Sequence, residues 1–158
     1  MYDAHDVDAL AGALIDLVGM LNSARQDEFL LREAGVSVDR ALFPLLVRIG
    51  AAGSIGVVDL AEQVGRDHST VSRQMAKLKS LGFVTRHHGE RDQRVREAVL
   101  TEDGRRVIEA ITEARRRLLG RLLDSWSDED RRTLAALNRR LADAMKEARA
   151  LVEMDRLK

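Results

Sequence analysis

Apolar residues recur at helical spacing at both ends of this chain. One stripe runs through the N-terminal segment: Val7, Leu10, Leu14, Val18 and Leu21. Two further stripes lie near the C-terminus: Val107, Ile108, Ile111, Leu118 and Leu122 in one, and Leu134, Leu137, Leu141, Met145 and Val152 in the other. Repeats of three and four residues are typical of amphipathic helices. The pattern therefore predicts long helices at both termini.

The stretch from Val57 to Leu100 has a different organisation. It predicts a short helix, a tight turn, a second helix and a charged two-stranded hairpin, in that order. Leu60, Ala61 and Val64 form the apolar face of the first helix, and Gly65 follows where a left-handed turn is required. This order is typical of a winged helix-turn-helix, which places one helix in a DNA major groove.

The second of these helices carries two distinct faces. Its predicted N-cap is Ser69, with Asp67 adding negative charge near the helix start. A buried stripe is predicted at Val71, Met75, Leu78 and Leu81, and a polar face at Thr70, Arg73, Gln74 and Lys77. Such a polar face suits base edges and phosphates. The alternative is an ordinary solvated face, but the preceding helix, the glycine turn and the hairpin favour DNA.

The hairpin is predicted to form a second contact. Its strands span Phe83 to His88 and Val95 to Leu100, and the tip between them is too charged for a core. Arg91 and Arg94 are candidates for a narrow minor groove, whose negative potential attracts guanidinium groups. Asp92 is expected to orient one of them through a bidentate ion pair. The alternative is a tip that only interacts with water.

These residues resemble the MarR (multiple antibiotic resistance regulator) family of bacterial transcription factors. The resemblance rests on DLAEQVGRDHSTVSRQMAKLKSLGFVTR and the later DQRVREAVLTEDG, which contain Asp92-x-Arg94, Leu100-Thr101 and Gly104. It implies a mainly α fold with a small β wing, a winged helix-turn-helix on a helical dimerisation base. It also implies a homodimer that binds a pseudo-palindromic double-stranded DNA operator, usually as a repressor released by a small ligand. By this resemblance Arg94 enters the minor groove with Asp92 as its partner, and the recognition helix carries Ser69, Thr70, Arg73, Gln74 and Lys77.

The predicted organisation has three parts. Residues 1–36 form an N-terminal dimerisation helix, residues 37–100 the winged DNA-binding domain, and residues 101–158 the C-terminal dimerisation helices. Thr101 is the expected cap of the first C-terminal helix, and Ser127, with Asp130 three residues later, that of the second. The terminal stripes have little to pack against in one small domain, which favours interdigitating helices of two subunits. A monomeric bundle is the alternative.

A further helix is predicted from Val38 to Ile49, and it contains Pro44, the only proline of the chain. Because proline disrupts a helix interior, the helix either bends there or starts near Phe43. In the MarR family, which this sequence resembles, this helix borders a small-molecule pocket. The candidates for lining it are Arg25, Phe29, Phe43 and Leu46, with Arg25 available for an anionic ligand. The alternative is that both phenylalanines are core residues and Arg25 is solvated.

Composition narrows the function classes. The 158 residues balance 26 basic against 26 acidic side chains, which at first argues against nucleic acid. However, the segment 66–96 holds eight Lys/Arg and three Asp/Glu, a local net charge of +5. This local excess suits duplex DNA. Aromatic residues make up only 3%, which disfavours stacking on single strands or RNA.

The sequence disfavours secreted, membrane-spanning, metal-binding and enzymatic proteins. There is no cysteine, signal peptide pattern or apolar run of about 20 residues, so a cytoplasmic protein without a membrane span is expected. No cofactor, metal or enzymatic activity is predicted, because the chain lacks a phosphate loop and a nucleophile elbow. His87 and His88 are adjacent on a strand and would point to opposite faces. The rival function is a winged domain that contacts protein instead of specific DNA.

Overall fold

The computed structural model describes residues 3–156 and is mainly helical with one small sheet. This confirms the predicted fold class. The described elements are α1 (Ala4–Leu21), α2 (Ala24–Ala34), α3 (Phe43–Ala52), β1 (Ile55–Gly56), α4 (Val57–Val64), α5 (His68–Ser80), β2 (Val84–His88), β3 (Arg96–Leu100), α6 (Glu102–Leu122) and α7 (Asp128–Arg156).

The chain divides into two compact units, one ending at Arg116 and the other starting at Arg117. The first contains α1 to α5, the sheet and most of α6, and the second contains the end of α6 and α7. The three functional segments 1–36, 37–100 and 101–158 stay predictions. No single helix within residues 3–156 combines the length and hydropathy needed to cross a membrane; α1 and α2, bent by 58° at their junction, meet that criterion only as a pair.

The core of the first unit lies between α3, α4, α5 and the sheet. Its fully buried side chains include Leu45, Leu46, Ile49, Leu60, Val71, Met75, Leu78 and Val84. The predicted stripe of α5 is thus buried at three of its four positions. Leu81 is the exception, with 44% of its surface exposed. The helix ends at Ser80 and Leu81 is its C-cap, so the side chain no longer follows the buried face.

The three strands are antiparallel in the order β1-β3-β2. Val84 on β2 is opposite Leu100 on β3, and Ile55 on β1 is opposite Ala98. The hairpin therefore has the predicted topology, although each strand begins one residue later than expected. Because β1 contains only two residues, the sheet is in effect a wing hairpin with a short third strand beside it.

The helix starts follow from local chemistry. Pro44 lies in the first turn of α3, which begins at Phe43, and a missing N–H group there removes no helical hydrogen bond. The Thr101 hydroxyl accepts a hydrogen bond from the backbone N–H of Gly104 at 3.1 Å. Ser127 caps α7 by accepting from the N–H of Asp130 at 3.0 Å. Both predicted caps are confirmed.

The apolar stripes of α1 and α7 are exposed in the single chain, whereas Ile111 in the stripe of α6 is buried. No residue of α1 is buried over its described length, and Val18 keeps 54% of its surface exposed. The same holds for α7 up to Arg156, where Leu137 and Met145 are 52% and 63% exposed. Apolar stripes of this length on both helices are typical of surfaces that a further polypeptide covers.

Candidate nucleic-acid interface

The turn before α5 sets the start of that helix. Gly65 has φ of 66°, the left-handed conformation that glycine adopts without steric cost. The N-cap is Asp67, whose carboxylate accepts from the backbone N–H of Thr70 at 2.9 Å. The expectation that Ser69 caps the helix is therefore wrong. Asp67 is the last extended residue and Ser69 is already in the first helical turn.

The Asp67 carboxylate also collects two hydroxyl groups. Ser69 Oγ donates to Asp67 Oδ1 at 2.5 Å, and Thr70 Oγ1 donates to Oδ2 at 2.6 Å. Together with the bond from the Thr70 backbone, these hydrogen bonds hold the pKa of Asp67 well below its ordinary value. The bond from Ser69 has the largest effect, and those from the side chain and backbone of Thr70 come next. At the start of α5, one carboxylate thus accepts hydrogen bonds from two hydroxyl groups and one backbone N–H.

The outer side of α5 is polar, as predicted. Ser69, Arg73 and Lys77 are exposed, whereas Thr70 and Gln74 are half-buried. Arg73 Nη2 lies 3.5 Å from Thr70 Oγ1, at the limit of a hydrogen bond. Because Val71, Met75 and Leu78 occupy the opposite side, the structure brings the predicted polar side chains together on the outward surface of the helix.

Arg66 contacts this surface, although the sequence patterns do not single it out. Its Nη1 donates to the backbone carbonyl of Ala41 at 2.6 Å and to Gln74 Oε1 at 3.0 Å. Ala41 lies 25 residues earlier, just before α3. The one available signal is a basic residue directly after the Gly65 turn. Arg66 therefore joins the turn, the segment before α3 and the outward surface of α5.

The wing tip, residues 89–95, is a closed turn. Asp92 Oδ1 accepts from the backbone N–H of Arg94 at 2.9 Å. The expected ion pair between Asp92 and a wing arginine is thus replaced by a hydrogen bond that the backbone N–H of Arg94 donates to the Asp92 carboxylate. Asp92 therefore shapes the turn that carries Arg94. The N–H of Gly89 donates to the carbonyl of Val95 at 2.8 Å. Both Arg91 and Arg94 have exposed side chains.

The two wing arginines have different surroundings. Arg91 lines a surface cleft of about 420 Å³ together with the acidic side chains of Asp59, Glu90 and Glu97. Arg94 is not among the residues that line this cleft. The three carboxylates lower the positive potential of the cleft that Arg91 lines. Arg94 is therefore the better candidate for contact with an anionic groove.

The two wing histidines have local partners. His88 Nδ1 lies 2.7 Å from the carbonyl of Gln93 and His87 Nδ1 lies 3.1 Å from that of His88. In the part of the chain that the structure describes, no three His, Asp or Glu side chains are placed to hold a metal ion. The histidines stabilise the wing through its backbone.

The four candidate pocket residues lie in two places. Phe43 and Leu46 are buried in the core. For Phe43 this agrees with the alternative prediction, a core residue. Arg25 and Phe29 are exposed on α2, where they line a cleft of about 420 Å³ with Ser23, Gln26, Glu28 and Arg32. The structure thus separates the four into a core pair and a surface pair. Phe29 is not a core residue in the single chain, since 40% of its surface is exposed.

Comparison with known proteins gives consistent matches. The MarR family model matches residues 39–95. Among curated proteins of Bacillus subtilis, the chain is 31% identical to the HTH-type transcriptional regulators YdgJ, over 102 residues, and YfiV, over 107 residues. Each match covers 65% of this chain, with 62% of YdgJ and 67% of YfiV. The HTH-type transcriptional repressor MdtR is 26% identical, with 63% of this chain and 64% of MdtR covered.

A solved structure supports the fold over nearly the whole chain. A MarR family protein from Bacillus stearothermophilus superposes with a TM-score of 0.79 at 24% identity. The match covers 92% of this chain and 99% of that one. The chain spans about two thirds of the length of YdgJ and of YfiV.

Proposed function

This chain belongs to the MarR family, and from that premise we propose that it is a sequence-specific, double-stranded DNA-binding transcriptional regulator. One observation carries the proposal. The outward side of α5 presents Ser69, Thr70, Arg73 and Lys77 together, next to a wing that exposes Arg94. A helix of this composition fits a major groove, and the adjacent arginine fits the minor groove.

The charge distribution supports binding to a duplex. Segment 66–96 carries a net charge of +5 within a chain that is neutral overall. Lys77 would bind phosphates and Arg73 phosphates or base edges, and Arg94 would enter the minor groove with its backbone held by Asp92. The acidic remainder of the chain limits non-specific attraction to DNA, which favours discrimination between sequences. A regulator that binds DNA in this way would act in the cytoplasm.

The proposed assembly is a homodimer. The apolar stripes of α1 and α7 are exposed in the single chain, and a cleft within the second unit is lined in part by Trp126, Leu134 and Leu137. A two-fold dimer would place two copies of α5 about one or more DNA turns apart, each turn being about 34–36 Å. The expected operator is therefore an inverted repeat.

The direction of control is proposed as repression. MdtR, which matches this chain over 100 residues, is a repressor by name. Release by a small anionic or aromatic ligand is the proposed regulation, and the cleft on α2 offers two guanidinium groups beside an exposed ring, in Arg25, Arg32 and Phe29. Such a ligand would act by its differential affinity for two conformations of the dimer.

A winged domain that contacts only protein is not favoured. A protein contact gives no reason to keep Arg73 and Lys77 exposed on the same side as Thr70, within a segment of net charge +5. Protein interfaces are typically depleted of lysine at their centres.

Selection of bound sequences from a random duplex library tests the proposal. Purified protein at moderate salt should enrich an inverted repeat whose half-sites lie about one helical turn apart. Absence of any enriched sequence across a range of salt concentrations would contradict sequence-specific binding. Binding that fades steeply with salt and shows no preference would indicate phosphate contact alone.

A further inference from the structure

We propose that Arg66 and Asp67, the two residues between the Gly65 turn and α5, decide which side chains of α5 donate and which accept hydrogen bonds toward the bases. The inference rests on the proposed DNA binding and goes further, because it assigns the chemistry of individual base contacts. Arg66 leaves Gln74 as a donor, and Asp67 leaves Ser69 and Thr70 as acceptors. The two turn residues are thus positioning residues for base recognition.

The orientation of the Gln74 amide follows from the chemistry of arginine. A guanidinium group has five N–H donors and no acceptor, so only the oxygen of a neighbouring carboxamide can face it. Arg66 Nη1 donates to Gln74 Oε1 at 3.0 Å and is itself held by the Ala41 carbonyl at 2.6 Å. The amide NH₂ group, on the other branch of the carboxamide, keeps its two donors for a ligand.

A glutamine held in this way reads a different base from a free glutamine. A free glutamine binds adenine through both amide atoms, accepting from N6 and donating to N7. Arg66 engages one of the two lone pairs of Gln74 Oε1, so the NH₂ group with its two donors is the part of the carboxamide that is fully available to a base. Guanine offers two acceptors, O6 and N7, on its major-groove edge, whereas adenine places an amino group next to N7. We therefore expect Gln74 to prefer guanine over adenine.

The hydroxyls of Ser69 and Thr70, unlike the Gln74 amide, are left to accept hydrogen bonds from a base. An ionised carboxylate only accepts, so each hydroxyl must direct its single proton to Asp67. The distances are 2.5 Å for Ser69 and 2.6 Å for Thr70. What remains on these oxygens is lone pairs, which fit the amino groups of adenine or cytosine and do not fit phosphate oxygens. The start of α5 therefore favours a base that carries an amino group.

The test for Arg66 compares binding to an operator series that varies one base pair at a time. The pair read by Gln74 is the one whose preference disappears in Gln74→Ala. At that pair wild-type protein should favour guanine over adenine by about tenfold. Arg66→Met should bring this ratio to about one or invert it, because the amide can then turn. Arg66→Lys, which still only donates, should retain the preference.

Two controls separate base recognition from folding and from general affinity. Lys77→Ala should weaken binding to all operators alike without altering the guanine-to-adenine ratio. The double variant with Arg66→Met and Gln74→Ala should show the same ratio as Gln74→Ala. If Arg66→Met keeps the wild-type ratio, the role of Arg66 in specificity is refuted. If wild-type protein enriches no sequence, the proposed function itself fails.

The variant Asp67→Asn tests the second part of the proposal, the role of Asp67. Asparagine still caps a helix, but it offers one oxygen and one NH₂ group. Its oxygen is needed by the backbone N–H of Thr70, so the NH₂ group faces the Thr70 hydroxyl and frees that proton. The pair read by Thr70, identified with Thr70→Val, should change from an amino-bearing base toward guanine or thymine by about tenfold. An unchanged preference at that pair would overturn this half.

Discussion

A β-carbon placed on Gly104 would lie 2.1 Å from the backbone carbonyl oxygen of Phe83. The same carbonyl accepts a hydrogen bond from the N–H of Thr101 at 3.0 Å, and the Thr101 hydroxyl donates to the carbonyl of Gly82 at 2.6 Å. The first turn of α6 thus lies directly on the segment between α5 and β2. Only glycine permits so close an approach.

Gly104→Ala should therefore destabilise the protein, by at least about 2 kcal/mol, because the methyl group meets backbone that cannot turn aside. Gly120→Ala in the same helix is the matched control. Within the described residues, nothing beyond the helix itself lies within 4 Å of the position its methyl group would occupy. That change should raise stability by about 0.5–1 kcal/mol through helix propensity. Urea unfolding of both variants at equal protein concentration measures the difference. Similar midpoints would refute the close packing of α6.

Arg94→Ala should weaken operator binding by about tenfold or more, because an arginine in a narrow minor groove carries sequence-dependent energy. The loss of affinity should be larger for operators with A/T-rich flanks than for operators with G/C-rich flanks, as measured by fluorescence anisotropy. Arg106→Ala is a suitable control, since Arg106 is an exposed arginine engaged with Glu102 and Asp103 on α6. Equal effects of the two changes would argue against a specific role for the wing.

Lys77→Ala should act through phosphates alone. The expected result is a uniform loss of affinity for all operators and a salt slope, log Kd against log salt, that falls by about one. Titrations across a range of salt concentrations are sufficient. A changed base preference with an unchanged slope would instead place Lys77 on a base edge.

The Asp67 cap predicts an acid dependence of stability. Its pKa is lowered in the folded protein, so the cap stabilises above the unfolded pKa of about 4 and loses this contribution as pH falls toward the folded value. Asp67→Ser retains a capping oxygen without this titration. The stability difference between wild type and Asp67→Ser should be constant from neutral pH to about pH 5 and should shrink below about pH 4. A difference that does not change between neutral and acidic pH would contradict it.

Leu137→Asp should convert the proposed dimer to monomer at micromolar concentration, because it places a charge in the apolar stripe of α7. Asn138→Asp introduces the same charge one residue further along the helix, off the stripe, and should leave the dimer intact. Light scattering after size exclusion reports the mass. A wild-type protein that is monomeric under these conditions would refute the dimer.

Local signals in the sequence are sufficient for most of the fold. Gly65 at the turn, Pro44 at a helix start, and the caps Thr101 and Ser127 each depend on chemistry within a few residues. The polar side of α5 follows from its periodicity. The predicted cap of α5 lies two residues too late because Asp67 and Ser69 are both good cap residues, and only the backbone distinguishes them.

The remaining features depend on contacts between distant parts of the chain or on atomic detail. The bond from Arg66 to Ala41 joins residues 25 apart, and no spacing rule predicts it. Phe43 and Leu46 resemble pocket residues in sequence, yet the packing of α3 buries them. The pairing of Asp92 with the backbone of Arg94 is local, but which atoms of the arginine it holds depends on the conformation of the turn.

The closed turn at the wing tip has a thermodynamic consequence. Bonds from Gly89 to Val95 and from Arg94 to Asp92 hold the backbone of the wing in the free protein. A wing that is already ordered loses little conformational entropy when it meets DNA, so more of the contact energy of Arg94 is retained as affinity. Asp92 thus contributes to binding before any DNA is present.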